Sequence, residues 1–177
     1  MAFVCAGHQL EQWKLSVPKQ KKVICSFEWP LRSLSVHPSG KLVVVYGLEQ
    51  VSVVVLSLKS VKTFDLNLNN SFPICCQWHP MGDAHLMILS SDQRLRMFHI
   101  TTDLNQPEQM WNLSCISQKQ PFTLLSNKRG QFKSDTTTDN VVSFQIGKGD
   151  GWDSFTVYTI MENGDIYSLC PIMPLRG

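Results

Sequence analysis

The chain has 177 residues, of which 43% are hydrophobic and 17% are charged, and its formal net charge is +2. This composition predicts a folded globular protein and excludes intrinsic disorder. The sequence has no apolar run near the ~20 residues of a membrane span, no secretory signal at its start and no basic stripe, so we expect a soluble intracellular protein with no direct nucleic-acid or membrane contact.

Residues 1–30 predict one incomplete sheet. Alternating apolar residues at 3–6 and 9–15 flank Gly7-His8 and indicate a hairpin, and residues 23–27 add an outer strand. This arrangement has the form of the second half of a four-stranded unit. We therefore expect the chain to open inside a structural repeat.

An internal repeat follows. Leu34-Ser35-Val36-His37-Pro38-Ser39-Gly40 recurs 42 residues later as Cys76-Gln77-Trp78-His79-Pro80-Met81-Gly82. That offset lies within the ~40 to 45 residues of a WD-type propeller blade. Proline fixes φ for a turn, and glycine supplies the left-handed conformation from which the next strand departs. Each copy therefore predicts a strand, a tight turn and a second strand.

The β-branched and aromatic residues after each turn predict two hairpins. Their strands are expected at residues 41–46 and 51–57 in the first copy, and at 85–89 and 94–100 in the second. Outer strands are expected at 61–66 and 110–113. The sequence thus predicts a partial first blade at 1–30, a second blade at 31–70 and a third at 71–116.

The remaining residues predict an insertion and a last, incomplete blade. The insertion, at 117–140, is polar apart from Phe122, Leu124 and Leu125, and is expected to project as a loop that is mobile at 127–139. The fourth blade, at 141–177, has predicted strands at 142–146, 155–160 and 166–170. The predicted fold class is all-β: a partial WD40-like β-propeller with about three to four blades.

The cysteines and histidines predict packing and turns. The six cysteines are sparse and lie in apolar runs, so we expect them to be reduced core residues. Cys75 and Cys76 are neighbours in a strand and point to opposite faces, which prevents them from chelating a metal together with His79. His37 and His79 each precede a proline and have no further ligand at metal-binding spacing. We predict no metal, no cofactor and no catalytic residue.

Residues 141–174 carry a family resemblance. Gly151-Trp152, Glu162-Asn163-Gly164-Asp165-Ile166-Tyr167 and Cys170-Pro171-Ile172-Met173-Pro174 resemble the amino-terminal propeller of the nucleoporins of the eighty-two/eighty-eight type. Trp78-His79-Pro80 and residues 91–98 resemble the preceding blade of that family. The resemblance covers about residues 72–174. It extends to the first seventy residues only through the blade pattern, and the WD dipeptide itself is absent.

The resemblance implies a seven-bladed propeller followed by a long coiled coil, located in the nucleus on the cytoplasmic face of the nuclear pore complex. It implies a docking scaffold without enzyme activity that supports messenger RNA export and nucleocytoplasmic transport. The implied partners, in a hetero-oligomer, are the C-terminal domain of the ninety-eight type nucleoporin and the tail of a phenylalanine-glycine-repeat nucleoporin. The chain is shorter than that family, so we expect it to hold only part of the seven blades.

Four residues are candidates for protein binding. Asn163, Asp165 and Tyr167 lie at the hairpin that resembles the family's partner-facing edge, where an acidic side chain pairs with a basic residue of the partner. The competing interpretation of Asp165 is a turn aspartate that bonds its own backbone. Trp152 lies in a glycine-rich loop and is expected to be exposed as a contact residue, whereas the other blade tryptophans are expected to pack between sheets.

Two other functions share the blade pattern. An unrelated WD-repeat adaptor, such as a trafficking or ubiquitin-ligase subunit, is built from the same strands. A propeller-borne hydrolase needs a nucleophile, a base and an orienting group, and the sequence has no motif that supplies them. A heptad-rich tail in the full-length gene favours the nucleoporin over the adaptor, and a bound catalytic metal identifies the hydrolase.

Overall fold

The computed structural model describes residues 1–16, 20–65, 71–81, 84–102, 106–114 and 139–175. In these ranges the chain forms β-strands and one short 3-10 helix, Gly151–Phe155. The strands are β1 (Ala2–Ala6), β2 (Gln9–Trp13), β3 (Lys21–Ser26), β4 (Ser33–Val36), β5 (Leu42–Tyr46), β6 (Gln50–Val55), β7 (Ser60–Asp65), β8 (Pro73–Trp78), β9 (His85–Ser90), β10 (Arg94–His99), β11 (Gln109–Asn112), β12 (Val141–Ile146), β13 (Val157–Met161) and β14 (Ile166–Leu169).

These strands form four open antiparallel sheets. Sheet I contains β1 to β3, sheet II β4 to β7, sheet III β8 to β11 and sheet IV β12 to β14. Strands that follow one another along the chain pair within each sheet, as in a series of hairpins. The first strands β1, β4, β8 and β12 contact one another in succession, so the sheets follow one another as an arc with these strands in contact.

Sheet II shows why the valine-rich segments form strands. Val43, Val44 and Val45 are consecutive and all completely buried. Because side chains alternate across a strand, this burial requires cover on both faces of the sheet, and a strand covered on both faces has a continuous apolar sequence. Gly40, which precedes β5, has a φ of 68°, the left-handed conformation that the repeat predicts there.

Hydrophobic side chains fill the spaces between successive sheets, which we call joints I–II, II–III and III–IV. The buried residues of joint I–II are Leu10, Val43, Val45 and Val54. Those of joint II–III are Val44, Tyr46, Val51, Val53, Cys76, Trp78, Ala84, Leu86, Ile88, Phe98 and Ile100. Those of joint III–IV are Met87, Leu89, Leu95, Met97, Leu113, Val141, Phe144, Ile146, Val157, Met161 and Ile172. Sheets II and III are therefore covered on both faces.

The structure confirms the all-β prediction and the order of the predicted strands, with one difference. Phe155, expected in a strand, lies in the 3-10 helix, and β13 begins at Val157. The reason is local: the backbone N–H of Thr156 donates to the carbonyl of Asp153, which turns the chain before the strand starts. Phe155 and Val157 are apolar residues two positions apart, as in a strand, but only Val157 belongs to β13.

Several predictions fall on residues outside the described ranges. The insertion at 117–140 is described only at residues 139 and 140, and its apolar residues Phe122, Leu124 and Leu125 lie outside, as do Cys115 and Gly82. The five cysteines in the described ranges are free thiols, but the prediction that they are core residues holds only for Cys76. Cys170 is exposed because it follows the end of β14, and Cys5, Cys25 and Cys75 are partly buried. The blade boundaries stay predictions. In the part of the chain that the structure describes, no helix is both long and apolar enough to cross a membrane.

Candidate protein-binding site

The hairpin between β13 and β14 holds three of the four candidate residues. Gly164 has a φ of 87°, and its N–H donates to the carbonyl of Met161, which closes the turn. The side chain of Asn163 accepts a hydrogen bond from the backbone N–H of Asp165 at 2.8 Å. An Asn side chain that bonds the backbone two residues onward stabilises a tight turn. The sequence Asn163-Gly164 therefore fixes the shape of this tip.

Side chains at the hairpin tip also bond one another. Asn163 donates through Nδ2 to Asp139 Oδ2 at 2.7 Å and to Asp165 Oδ2 at 3.3 Å. The hydroxyl of Tyr167 donates to the same Asp165 oxygen at 3.4 Å. Asn163 and Asp165 are exposed, while Tyr167 is half-buried and packs against joint III–IV. The structure therefore brings these three residues together. Their hydrogen bonds stabilise the turn, and Asn163 and Asp165 remain exposed to solvent.

Trp152, the fourth candidate, is 69% exposed and sits in a loop that Asp153 organises. The carboxylate of Asp153 accepts the backbone N–H of Gly149 through Oδ2 and the hydroxyl of Tyr158 through Oδ1 at 2.8 Å. The Tyr158 hydrogen bond, followed by that of Gly149, lowers the pKa of the Asp153 carboxyl below its usual value. Asp153 is therefore ionised at neutral pH and holds the loop through charge-assisted hydrogen bonds.

Two glycines of this loop leave room for Asp153. A Cβ on Gly147 would lie 2.2 Å from the Asp153 carbonyl oxygen, and one on Gly149 would lie 2.7 Å from Oδ2. A side chain at either position would therefore require Asp153 to shift. The carbonyl of Trp152 accepts the hydroxyl of Thr156 at 2.8 Å, and its ring packs edge-on against Phe155. The exposed indole is thus presented by an ordered backbone.

The structure does not place Trp152 beside the other three candidates. Trp152 precedes β13 and Asp165 follows it, so the two lie at opposite ends of that strand, which is about 16 Å long at ~3.3 Å per residue. Sheet IV therefore has two separate groups of candidate residues, the exposed Trp152 at one end and the acidic hairpin at the other.

The contacts of the segment after β14, which we call the strap (residues 170–175), were not predicted, although its residues contribute to the family resemblance. Ile172 is buried in joint III–IV, and its N–H donates to the Phe155 carbonyl at 2.8 Å. Gln109 Nε2 donates to the Met173 carbonyl at 2.6 Å, and the Leu175 N–H donates to Glu108 Oε1 at 2.7 Å. The strap thereby ties sheet IV to sheet III. Its prolines were the one available signal, because it has no strand periodicity.

Both repeat histidines act as turn residues, as predicted. His37 Nδ1 accepts the backbone N–H of Ser39 at 3.1 Å, and His79 Nδ1 accepts that of Met81 at 3.2 Å. His79 also reaches the strap: its Nε2 lies 3.2 Å from the Ile172 carbonyl oxygen. Burial lowers the pKa of the His79 imidazole, which favours the neutral ring that these hydrogen bonds require.

A groove of about 590 Å³ runs along the inner strands of sheets II, III and IV. Its lining includes Cys75, Cys76 and Lys148. Cys76 packs in joint II–III and Cys75 against joint III–IV, so the two thiols do point to opposite faces. Burial raises the pKa of both thiols, which disfavours the nucleophilic thiolate. Among the described residues, no group of three or more His, Cys, Asp or Glu side chains is placed to hold a metal ion.

Comparison with known proteins gives relatives of one kind, although no family model matches the chain. Nuclear pore complex protein NUP88 of Arabidopsis thaliana is 36% identical over 99 residues, which make up 55% of this chain and 10% of the plant protein. Nucleoporin nup82 of Schizosaccharomyces pombe is 21% identical over 106 residues, or 59% of this chain and 12% of the yeast protein. The chain therefore spans about a tenth of the length of these relatives.

A third relative, nucleoporin NUP82 of Chaetomium thermophilum, is 24% identical over 121 residues, which cover 61% of this chain and 14% of that protein. A solved structure, the heterotrimeric complex of the Nup82 N-terminal domain, the Nup159 tail and the Nup145N domain from the same fungus, matches 97% of this chain and 40% of its own chain. The TM-score is 0.73 at 20% sequence identity. The resemblance to nucleoporins of the eighty-two/eighty-eight type and the partial β-propeller fold are both confirmed.

Proposed function

We propose that this chain, similar in sequence to the nucleoporins of the eighty-two/eighty-eight type and in fold to their amino-terminal propeller, is a docking component of the nuclear pore complex. It binds other nucleoporins through the loops and outer edges of its sheets and has no catalytic role. The observation that supports this best is the likeness of nearly the whole chain to a domain that was solved bound to two other nucleoporins.

Two types of partner fit this function. One is the C-terminal domain of a ninety-eight type nucleoporin, and the other is the tail of a phenylalanine-glycine-repeat nucleoporin. In the fungal structure the Nup82 N-terminal domain is in complex with the Nup159 tail and the Nup145N domain, which supports other nucleoporins as partners. We place the chain on the cytoplasmic face of the pore, where the assembly supports messenger RNA export.

Sheet IV supplies the candidate contacts for such a partner. An exposed tryptophan on an ordered loop loses little conformational entropy on binding, and tryptophans dominate many protein interfaces. Trp152 has both properties. Asp165 adds a carboxylate at the other end of the sheet, where its energetic contribution is smaller because an exposed ion pair is worth only ~0 to 1 kcal/mol.

Calorimetric titration of the chain with the C-terminal domain of a ninety-eight type nucleoporin tests the site. Trp152→Ala should weaken binding about tenfold or more, and Asp165→Asn by less than about fivefold. Leu58→Ala is the matched control, because Leu58 is 76% exposed in the turn between β6 and β7 of sheet II. Equal affinities for the Trp152 variant and the control would exclude Trp152 from the interface.

The cellular location separates the docking proposal from the adaptor alternative. A fluorescent fusion of the chain should collect at the nuclear rim and co-purify with nuclear pore proteins. If depletion of the protein blocks the export of messenger RNA, this result would support the proposed role in that export. A diffuse fusion that co-purifies with trafficking or ubiquitin-ligase subunits would instead favour an unrelated WD-repeat adaptor.

A further inference from the structure

The sheets have two ends, which we define by the direction of their first strands. Side chains near the C-terminal end of β8 bond the backbone near the C-terminal ends of β4 and β12, so these three ends lie together. We call this the histidine end, because it carries the His37 and His79 turns. The opposite end carries the Asn163 hairpin, and we call it the hairpin end. Propeller sheets cover one another face to face, so the turns at both ends stay open to solvent whichever sheets are neighbours.

The hairpin end is acidic in the part of the chain that the structure describes. Its carboxylates lie in the turns and connections between strands and are those of Glu28, Glu49, Asp92, Asp139, Glu162 and Asp165. Two arginines accompany them: Arg32 precedes β4, and Arg94 begins β10 with its Nη1 3.8 Å from Asp92 Oδ2. The buried Arg96 also pairs with Asp92. Negative charge therefore dominates this end, which holds the candidate Asp165.

The histidine end is basic. Its lysines are all exposed and lie in or beside the turns of sheets I, II and IV: Lys14, Lys21, Lys22, Lys41, Lys59 and Lys148. Lys21 is paired with Glu11, whereas the carboxylates at this end are largely engaged, because Glu108 is buried and Asp153 bonds its own loop. Among the described residues, the exposed Asp150 is left to oppose the lysines. The histidine end therefore presents positive charge to solvent.

An apolar strip separates the lysines of sheet II from the lysine of sheet IV. Lys41 and Lys59 lie in the two turns of sheet II at this end, and Lys148 lies in the loop between β12 and β13. Between them, sheet III offers Pro80 and Met81, and Met81 is 56% exposed. Pro80 and Lys148 line the same groove, which brings the strip next to the charge. Because packed sheets lie ~10 Å apart, the strip crosses about 20 Å from sheet II to sheet IV.

On the basis of the docking function proposed above, we infer that the histidine end binds an acidic segment of a partner protein. The two ends of this segment carry carboxylates, which meet Lys41 and Lys59 on sheet II and Lys148 on sheet IV. Its middle is apolar and lies over Pro80 and Met81. An extended chain advances ~3.3 Å per residue, so about six residues cross the strip. Basic groups of a partner favour the hairpin end and acidic groups the histidine end, so the charges also fix how a partner is oriented.

The arrangement suits an acidic protein segment better than a nucleic acid. A nucleic acid carries a phosphate at every nucleotide and favours a continuous row of lysine and arginine. Here the row is interrupted by the apolar Pro80 and Met81 and by the carboxylate of Asp150, and no described arginine lies at this end. A protein segment can place carboxylates opposite the lysines and apolar side chains between them. Charge complementarity therefore favours a protein occupant.

Fluorescence anisotropy of the chain with a labelled peptide of about 12 residues tests this surface. The peptide has glutamates at both ends and leucine, methionine and phenylalanine in the middle. The double variant Lys41→Gln, Lys148→Gln should weaken binding about tenfold, because two exposed ion pairs are lost. The affinity of the unmodified chain should fall as salt rises, because exposed charges are screened. The matched control, Arg32→Gln with Arg94→Gln, removes the same charge from the hairpin end and should change the affinity by less than about twofold.

Each alternative outcome overturns the inference. Undetectable peptide binding, or equal losses in the lysine and arginine variants, would show that the histidine end is not the site. A peptide with glutamines in place of the glutamates that binds equally well would show that charge plays no part. Tighter binding of a single-stranded RNA of the same length would assign the lysines to a nucleic acid.

Two further measurements separate a failed fold and a failed docking function from a failed inference. Circular dichroism shows whether the double lysine variant folds, and Lys59→Gln replaces Lys148→Gln if it does not. The peptide assay contains no nucleoporin, so the docking function is tested independently of it. If the C-terminal domain of a ninety-eight type nucleoporin still binds the chain when the peptide does not, the acidic segment is wrong and the docking function stands.

Discussion

His37 and His79 occupy the same place in two copies of the repeat but face different neighbours. In both, Nδ1 accepts a backbone N–H two residues onward and shapes the turn. At joint III–IV, Nε2 of His79 reaches the Ile172 carbonyl of the strap. At joint II–III, the His37 ring instead stands edge-on to Trp78, with ring centres 5.0 Å apart, and its Nε2 has no hydrogen-bond partner among the described residues.

This difference shows what the repeat encodes and what the next sheet adds. The repeat fixes the turn, since both copies make the same Nδ1 bond. The neighbouring sheet decides which hydrogen bonds cross the joint in addition to the apolar packing: Trp78 Nε1 donates to the Ser35 carbonyl across joint II–III. Joint III–IV has such bonds at several points, including Gln77 Nε2 to the Phe144 carbonyl at 2.7 Å and the Val141 N–H to Gln93 Oε1 at 2.6 Å.

The largest expected effect comes from removing the aromatic centre of joint II–III. Trp78 is 5% exposed, and its Nε1 donates to the Ser35 carbonyl at 3.1 Å. Trp78→Ala should lower the free energy of unfolding by about 3–5 kcal/mol, because it leaves a cavity between two sheets. Urea denaturation followed by circular dichroism measures this. Trp152→Ala, an exposed tryptophan, is the control and should change stability by less than about 0.5 kcal/mol. Equal losses in the two variants would contradict the packing account.

The two repeat histidines provide a matched pair with a smaller effect. His79→Leu should cost about 1–3 kcal/mol, because it removes a buried bond to Ile172 and leaves that carbonyl unsatisfied. His37→Leu removes the turn bonds to Ser39 and the edge contact with Trp78, but no hydrogen bond across a joint, and should cost less than half as much. Denaturant midpoints of the two variants give the comparison directly. If His37→Leu proved the more damaging, the edge contact with Trp78 would outweigh the hydrogen bond across joint III–IV.

Acidification should weaken joint III–IV selectively. Burial lowers the pKa of His79 and of His85 below the ordinary value of about 6.5. The unfolded chain then binds more protons than the folded one below pH ~6.5, so stability is complete above that pH and falls as the pH drops toward the folded pKa values. Glu108, whose Oε2 lies 3.1 Å from His85 Nε2, opposes this shift without reversing it.

Denaturant midpoints at about pH 7.5 and 5.5 measure the acid effect. The double variant His79→Gln, His85→Gln should be less stable at neutral pH and show a flatter dependence on pH. Asp92, whose pKa is lowered mainly by its bond to Arg96 against the opposing effect of burial, titrates at more acidic pH and does not contribute in this range. A midpoint that is constant or rises on acidification would contradict the assignment.

Much of the fold was predictable because it rests on short-range patterns. The His-Pro turns, the consecutive valines of sheet II and Asn163-Gly164 each determine their own local structure, and the strands follow from them. Phe155 was placed wrongly because its position is decided by hydrogen bonds to Asp153, which leave no periodic trace in the sequence. A hydrogen bond between residues only three positions apart was therefore not predicted, because it produces no repeating pattern of apolar residues.

The candidate site was predictable in part. The exposure of Trp152 and the turn geometry of Asn163 follow from the glycines beside them. The separation of Trp152 from Asp165 could not be predicted without the bounds of β13. The role of the strap could not be predicted without the tertiary structure, because Ile172 is buried by residues of joint III–IV that are distant in sequence. No pattern within residues 170–175 specifies a partner 60 or more residues away.

The smallest effect tests the Gln93 bond across joint III–IV with a second matched pair. Gln93 and Lys59 both occupy hairpin turns with positive φ, 60° and 49°. Replacing either with glycine relieves the strain of a left-handed L-residue, a gain of up to about 1 kcal/mol. Lys59→Gly should therefore stabilise the chain. Gln93→Gly should have a net effect near zero, because it also removes the acceptor of the Val141 N–H, a bond worth about 1 kcal/mol. The difference between the two unfolding free energies isolates that bond, and an equal gain in both variants would show that Gln93 contributes nothing to joint III–IV.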